Sequence, residues 1–311
     1  MDFVLISLLN GLSYGLLLFM LSSGLTLILG MMGVLNFAHT SFYMLGAYFG
    51  YEISRRIGFW PALVLAPLAV GGLGALIERY GLRRMHRFGH VAELLFTFGL
   101  AIMIEEVVHL IWGRSPVDYK IPAELDYTLF SFFQFQYSAY RAFMMLVSVA
   151  MLVALYFGLT RSRTGLVIQA SLTHPAMVEA LGHNVPRTFM LVFGGGSALA
   201  GLAGVIGGNA FITEPGMAAS VGSIVFVIVV VGGMGSLYGA FIGSLLIGVA
   251  QTFSVASTLS LGSLLNAVGL HPAMEVAQVS LSQVASILPY FLLVTMLVLR
   301  PQGLMGQREA E

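Results

Sequence analysis

Along this chain, apolar runs long enough to cross a bilayer, which takes about 20 mostly apolar residues, alternate with short polar pieces. The runs predict helices at Phe3–Leu29, Ser41–Ile57, Pro61–Ile77, Val91–Trp112, Phe143–Leu159, Phe189–Ile212, Ser220–Val231, Leu237–Phe253 and Val279–Leu299. The stretch from Ser220 to Phe253 exceeds one ordinary helix and carries Gly232-Gly233-Met234-Gly235-Ser236 near its centre, so it reads as a hairpin or a broken pair. The fold class is therefore all-α: one polytopic transmembrane helical bundle over residues 1–311, with broken helices and about eight to ten crossings.

One stretch interrupts the apolar pattern. Gly30-Met31-Met32-Gly33-Val34-Leu35-Asn36-Phe37-Ala38-His39-Thr40-Ser41-Phe42-Tyr43 sets an amide, an imidazole and hydroxyls inside apolar sequence. Buried polar groups without partners cost several kcal/mol in a bilayer, so a span that only anchors has no use for them. Asn36, His39, Thr40, Ser41 and Tyr43 line the path of a small polar solute in one reading. In the other they bond to each other and to carbonyls freed where the helix breaks; the first is preferred, because polar residues within a membrane are functional by default. Sliding the stretch so that Gly30 falls on Gly232 also aligns Met32 with Met234, Gly33 with Gly235, Leu35 with Leu237, Ala38 with Ala240 and Gly46 with Gly248. This candidate internal repeat adds Ser236 to the pathway residues, since broken helices at matching places in two repeats are where transporters bind solutes.

Composition excludes an ordinary soluble domain: 58% of residues are hydrophobic and 9% charged, where soluble domains carry about 25% charge. Net charge is zero and cysteine is absent, which removes disulfides and thiolate metal sites. The first run lacks a cleavage-site pattern and reads as a retained helix. Lys and Arg in short loops favour the cytoplasmic side. This places Arg79, Arg83, Arg84 and Arg87, then Arg161, Arg163 and Arg187, then Arg300 and Arg308 inside, and the segment 113–142 outside. Arg55 and Arg56 fall outside by parity, against that rule.

Glu105 and Glu106, with His109 one turn beyond Glu105, admit two readings. They are proton sites of a self-contained secondary transporter, or carboxylates near the outer end of the span neutralised by Arg114 and water; the second is preferred. The segment 161–187 is the other informative stretch. Thr173-His174-Pro175 looks like a helix start, Ala176 to Leu181 favours helix, and Gly182 fits its stop. Such a helix docks on a soluble partner or is a plain connecting loop. The glycine-spaced runs Gly194–Gly204 and Gly239–Gly248 read as helix-packing faces. No catalytic or metal-ligating constellation is present, nor a phosphate-cradling loop or a basic, aromatic-interleaved face for nucleic acid.

These residues together resemble the membrane permease of branched-chain amino-acid-type ABC importers. Gly33-Val-Leu-Asn-Phe-Ala-His39 is similar to that family's Asn-Phe-Ala-His stretch, and Tyr43-Met-Leu-Gly-Ala-Tyr48 continues it. Glu78-Arg79, Ser162-Arg-Thr-Gly165, Ala180-Leu-Gly182, Asn184, Val231-Gly-Gly-Met-Gly-Ser236 and Leu299-Arg-Pro-Gln-Gly303 carry the likeness through the chain. The resemblance implies one of two permease subunits working by alternating access, the second being a sister permease or a copy of this chain. Two cytoplasmic ATPase subunits would carry ATP and magnesium, leaving this chain no cofactor of its own. An external solute-binding protein would feed the path, in a bacterial or archaeal plasma membrane with its lipid. His174, Glu179, Leu181, Gly182, Asn184 and Arg187 would then form the coupling segment seated on an ATPase. Gln169 and His174 depart from the family's usual residues at their places.

Overall fold

The computed structural model describes residues 2–132, 135–173, 175–257, 259–260, 262–263, 266 and 278–306. Each predicted run lies on a helix: α1 (Asp2–Met32), α2 (His39–Ile57), α3 (Phe59–Ile77), α4 (His90–Trp112) and α5 (Ala139–Thr160). After two short helices, α6 (Arg163–Thr173) and α7 (Pro175–Ala180), come α8 (Val185–Ala210), α9 (Met217–Gly232), α10 (Leu237–Ala256) and α11 (Leu288–Leu299). Among the described residues, six helical stretches are long and apolar enough to cross a membrane, and α9 and α11 are shorter apolar helices. The chain is a multi-pass helical membrane protein.

Two expectations change in detail. The run Val279–Leu299 divides into a turn at Leu281–Val284 and α11, because Pro289 sits in the first turn of α11 and disfavours helix just before it. The external segment ends earlier than 142, where the Ser138 side chain caps α5 by accepting from the Tyr140 N–H at 3.2 Å. Within it, β1 (Thr128–Phe132) and β2 (Phe135–Ser138) pair antiparallel. This hairpin of β-favouring residues, with Phe130 stacked on Tyr137, is a small departure from all-α.

Helix α8 runs through the middle of the bundle, packed against α1, α2 and α3. Its small-residue face lets backbones approach: Gly196 lies against Gly24 of α1, and Gly204 against the backbone at Tyr43 and Ala47 of α2. Phe42 meets Phe193 edge-on at 6.0 Å, both fully buried. The predicted Ser220–Phe253 unit is a hairpin, α9 and α10 packing antiparallel around Gly232 and Gly239. Helices α4 and α5 keep most of their surface outside the bundle.

The basic loops share one end. There Arg83 joins the turn after α3 to the start of α8, and the tail after Arg300 returns to α9 through Leu304 N–H to Val231 O at 2.8 Å. The other end holds the external segment, tied down by Tyr119 to Ser54 at 3.2 Å and by Val117 N–H to Thr213 O at 2.9 Å. Arg55 and Arg56 lie at this second end, as parity requires. The conflict with charge rules is local, because the Arg56 Nε donates to Glu52 at 2.9 Å.

Candidate functional site

Helix α1 stops where Gly33 takes φ +65°, a left-handed conformation glycine adopts freely. The chain then turns back into the bundle, and α2 starts at His39 beside Leu21 of α1, well short of the end of α1. The connecting residues are fixed by polar contacts. Asn36 Oδ1 accepts from the Ala38 N–H at 3.1 Å, and the His39 N–H donates to Asn36 O at 3.2 Å. Thr97 of α4, wholly buried, accepts the Phe37 N–H at 3.3 Å and lies 3.4 Å from Leu35 O. Thr97 thus holds the connecting segment on both sides of Asn36. Reading the sequence missed it, since one Thr in Leu-Leu-Phe-Thr-Phe-Gly-Leu gives no pattern.

The break opens a cleft of about 430 Å³ between α2, α4 and α9, within the range of small-molecule sites, about 300–1,000 Å³. Asn36, His39, Thr40 and Ser41 line it together, on a wall that includes Leu25, Phe98, Ile102 and Phe226. The structure adds Glu105 and Ser223 to the lining. Glu105 therefore stands apart from Glu106, which faces outward and has His109 Nδ1 at 3.6 Å. Arg114 pairs with neither carboxylate among the described residues, and Glu105 has no hydrogen-bond or ion-pair partner among them.

Not every predicted residue reaches this cleft. Tyr43 is buried against Gly204 and Gly207 of α8. Ser236 caps α10, accepting from the Gly239 N–H at 3.1 Å, at the basic end. Its neighbour Gly235 has φ +80° and touches Gly30, so the two aligned breaks, after α1 and after α9, meet back to back.

His39 is held by its ring Nε2, 2.9 Å from Leu21 O. Because a carbonyl only accepts, Nε2 carries the proton and Nδ1 of the neutral ring is an acceptor. That Nδ1, like the Asn36 Nδ2 donor, is buried with no partner among the described residues. At the start of α2 the N–H groups of Thr40 and Ser41 also meet no acceptor among the described residues. Two of the residues lining this apolar cleft, Asn36 and His39, thus each keep a buried polar atom without a partner among the described residues.

The other predicted set lies at the basic end. Helix α7 closes in a Schellman motif: Gly182 at φ +86° donates to Glu179 O at 2.9 Å and His183 N–H to Val178 O at 3.1 Å. His174 lies outside the described residues. Val178 packs inward, whereas Met177 and Leu181, one turn apart, are 64% and 77% exposed. Asn184 caps α8 by accepting from the Arg187 N–H at 3.0 Å, with Arg187 itself exposed. Glu179 borders a recess of about 210 Å³ shared with Met32, Glu78, Arg83, His86 and Pro186. Across it Arg83 bonds the buried Glu78 at 2.7 Å and Pro186 O at 2.7 Å, while His86 bonds the buried Glu93 at the foot of α4. The recess thus brings α7, the end of α1 and the turn after α3 to one place, and that turn is bonded to the start of α8 through Arg83 and to the foot of α4 through His86.

Comparison with known proteins agrees with this architecture. The chain is 27% identical to the high-affinity branched-chain amino acid transport system permease protein BraD of Pseudomonas aeruginosa, over 98% of this chain and 96% of that protein. It is 26% identical to the LivH permease protein of the corresponding Escherichia coli K12 system, over 97% and 95%. A LivM permease protein of E. coli K12 is 25% identical over 79% of this chain and 64% of its own length. No solved structure matches. The family described as branched-chain amino acid transport system, permease component, matches residues 7–298, and the chain belongs to it.

Proposed function

We propose that this chain is a translocation subunit of an ATP-driven importer whose solute, a branched-chain amino acid or a related amino acid, amide or aromatic acid, passes through the cleft at the α1–α2 break. The observation that carries this reading is an apolar cleft inside a membrane bundle lined by Asn36 and His39, each of which keeps a buried polar atom without a partner among the described residues. Such groups are costly unless a passing solute uses them. The names of the relatives support the solute class.

In this reading the motion starts at the basic end. Two ATPase subunits on the basic end close on ATP and press on α7, whose Met177 and Leu181 form the exposed apolar pair that seats in them. The push passes to the start of α8 and the turn after α3, which Arg83 ties together, and on to the foot of α4 through His86 and Glu93, and the cleft changes the face to which it opens. A second permease, sister or copy, covers the open side between α4 and α9. A solute-binding protein at the other end supplies affinity, so the path itself needs only weak contacts. A ligand drives such a switch only as far as it binds the two states differently.

The test is uptake of labelled leucine into proteoliposomes holding this chain with its co-expressed partners and loaded binding protein, with and without ATP. Wild type should require ATP. A Met177→Asp, Leu181→Asp pair, exposed and so neutral for folding, should abolish uptake and release the ATPase on purification. Uptake that follows a proton gradient without ATPase would overturn the reading in favour of a self-contained transporter.

A further inference from the structure

Resting on that reading, we infer that the cleft selects a zwitterion: the start of α2 with Asn36 takes the solute carboxylate and Glu105 takes its ammonium group. The anion pole is built. Among the described residues the N–H groups of Thr40 and Ser41, at the positive end of a 19-residue helix, meet no acceptor, and Asn36, 4% exposed, adds an Nδ2 donor with no partner. The cation pole is Glu105, the one charged side chain lining the cleft among the described residues and without a hydrogen-bond or ion-pair partner among them.

The spacing suits an amino acid. Phe37, just before α2, packs edge-on against Phe98, which places the start of α2 near the level of Phe98. Glu105 is two turns further along α4, a rise of about 10 Å. An α-amino acid bridging two protein groups needs roughly 8 to 9 Å: two hydrogen bonds of about 2.8 Å with about 3 Å between its ammonium and carboxylate. The Glu105 side chain covers the remainder. Leu25, Leu35, Phe98, Ile102 and Phe226 leave an apolar wall for the side chain of the solute. A monopolar solute leaves one pole of the cleft unpaired, and unpaired buried groups are what discriminate against analogues lacking a polar group.

The experiment uses the assembled transporter in proteoliposomes, with binding protein saturated by leucine, so that the receptor's own affinity does not enter. Glu105→Gln should lower ATP-dependent uptake about tenfold, and Glu105→Asp should retain most of it. Asn36→Asp, which sets a negative charge at the carboxylate pole, should lose as much as Glu105→Gln. Glu106→Gln, on the outward face, is the control and should transport as wild type. Removing an unpaired carboxylate from an apolar cleft does not weaken the fold, so a loss in Glu105→Gln that still co-purifies with its partners reports on the solute. Leucine uptake at the wild-type rate by Glu105→Gln overturns the inference while leaving the permease reading intact. Wild type that moves no leucine with ATP overturns both.

Discussion

Gly46→Ala should push α2 off α8 and disturb the cleft from behind. A Cβ at Gly46 would lie 2.5 Å from the Gly201 Cα and 2.7 Å from its carbonyl carbon, and closer still to the carbonyl oxygen. Carbon atoms in ordinary contact are about 3.5–4.0 Å apart, so the two helices must separate by roughly 1 Å. Every opposing atom is backbone, so no rotamer change absorbs the overlap. Overpacking of this kind costs typically 1–3 kcal/mol, and with two backbones displaced we expect about 3 kcal/mol. At roughly 2 °C per kcal/mol for a chain of this size, thermal unfolding in detergent, followed by near-UV circular dichroism, should fall by about 6 °C. The same displacement moves Thr40 and Ser41, about one and a half turns before Gly46 on α2, so uptake should fall with it. Gly72→Ala and Gly195→Ala are the controls, since nothing lies within 4 Å of a Cβ at either position; both should be neutral or slightly stabilising. If Gly46→Ala melts with these controls, the close α2–α8 packing is not what holds the cleft.

Arg83→Met should strand the buried Glu78 carboxylate and the Pro186 carbonyl; breaking such a pair costs about 3–5 kcal/mol, with the lower figure expected because the Arg83 side chain is 37% exposed. Adding Glu78→Gln should recover most of that in a thermal double-mutant cycle, and no recovery would refute the pairing. Thr97→Val keeps the shape but leaves the Phe37 N–H without its acceptor, at about 1–3 kcal/mol; hydrogen exchange at Phe37 and Ala38 should accelerate while the core of α8 stays protected. Asn184→Ala removes the α8 cap, and exchange in the first turn of α8 should rise in line with a loss of about 1 kcal/mol.

The apolar periodicity that assigns helices is local, and so are the glycines and proline that end them, which is why the helix runs, the break before Asn36 and the Gly182 stop are legible in the sequence alone. The gathering of Asn36, His39, Thr40 and Ser41 was legible for the same reason: they are near neighbours around one helix start. The partners of those residues were not. Glu105 and Ser223 reach the cleft, and Thr97 reaches the segment before α2, because α4 and α9 pack beside α2, and no spacing along the chain encodes that adjacency. Glu105 and Glu106 show the limit most plainly, being adjacent in sequence yet sent to different surroundings, one into the cleft and one to the outer surface. Tyr43 and Ser236 show the reverse, since residues grouped with the others along the chain lie outside the lining of this cleft, one against a neighbouring helix and one at a helix cap. The sequence determined which segments enter the membrane, because burial of apolar surface follows from composition and period. Only the tertiary structure decided which face of each helix meets the cleft, because that depends on how glycine contacts such as Gly46 with Gly201 fix the rotation of one helix against another.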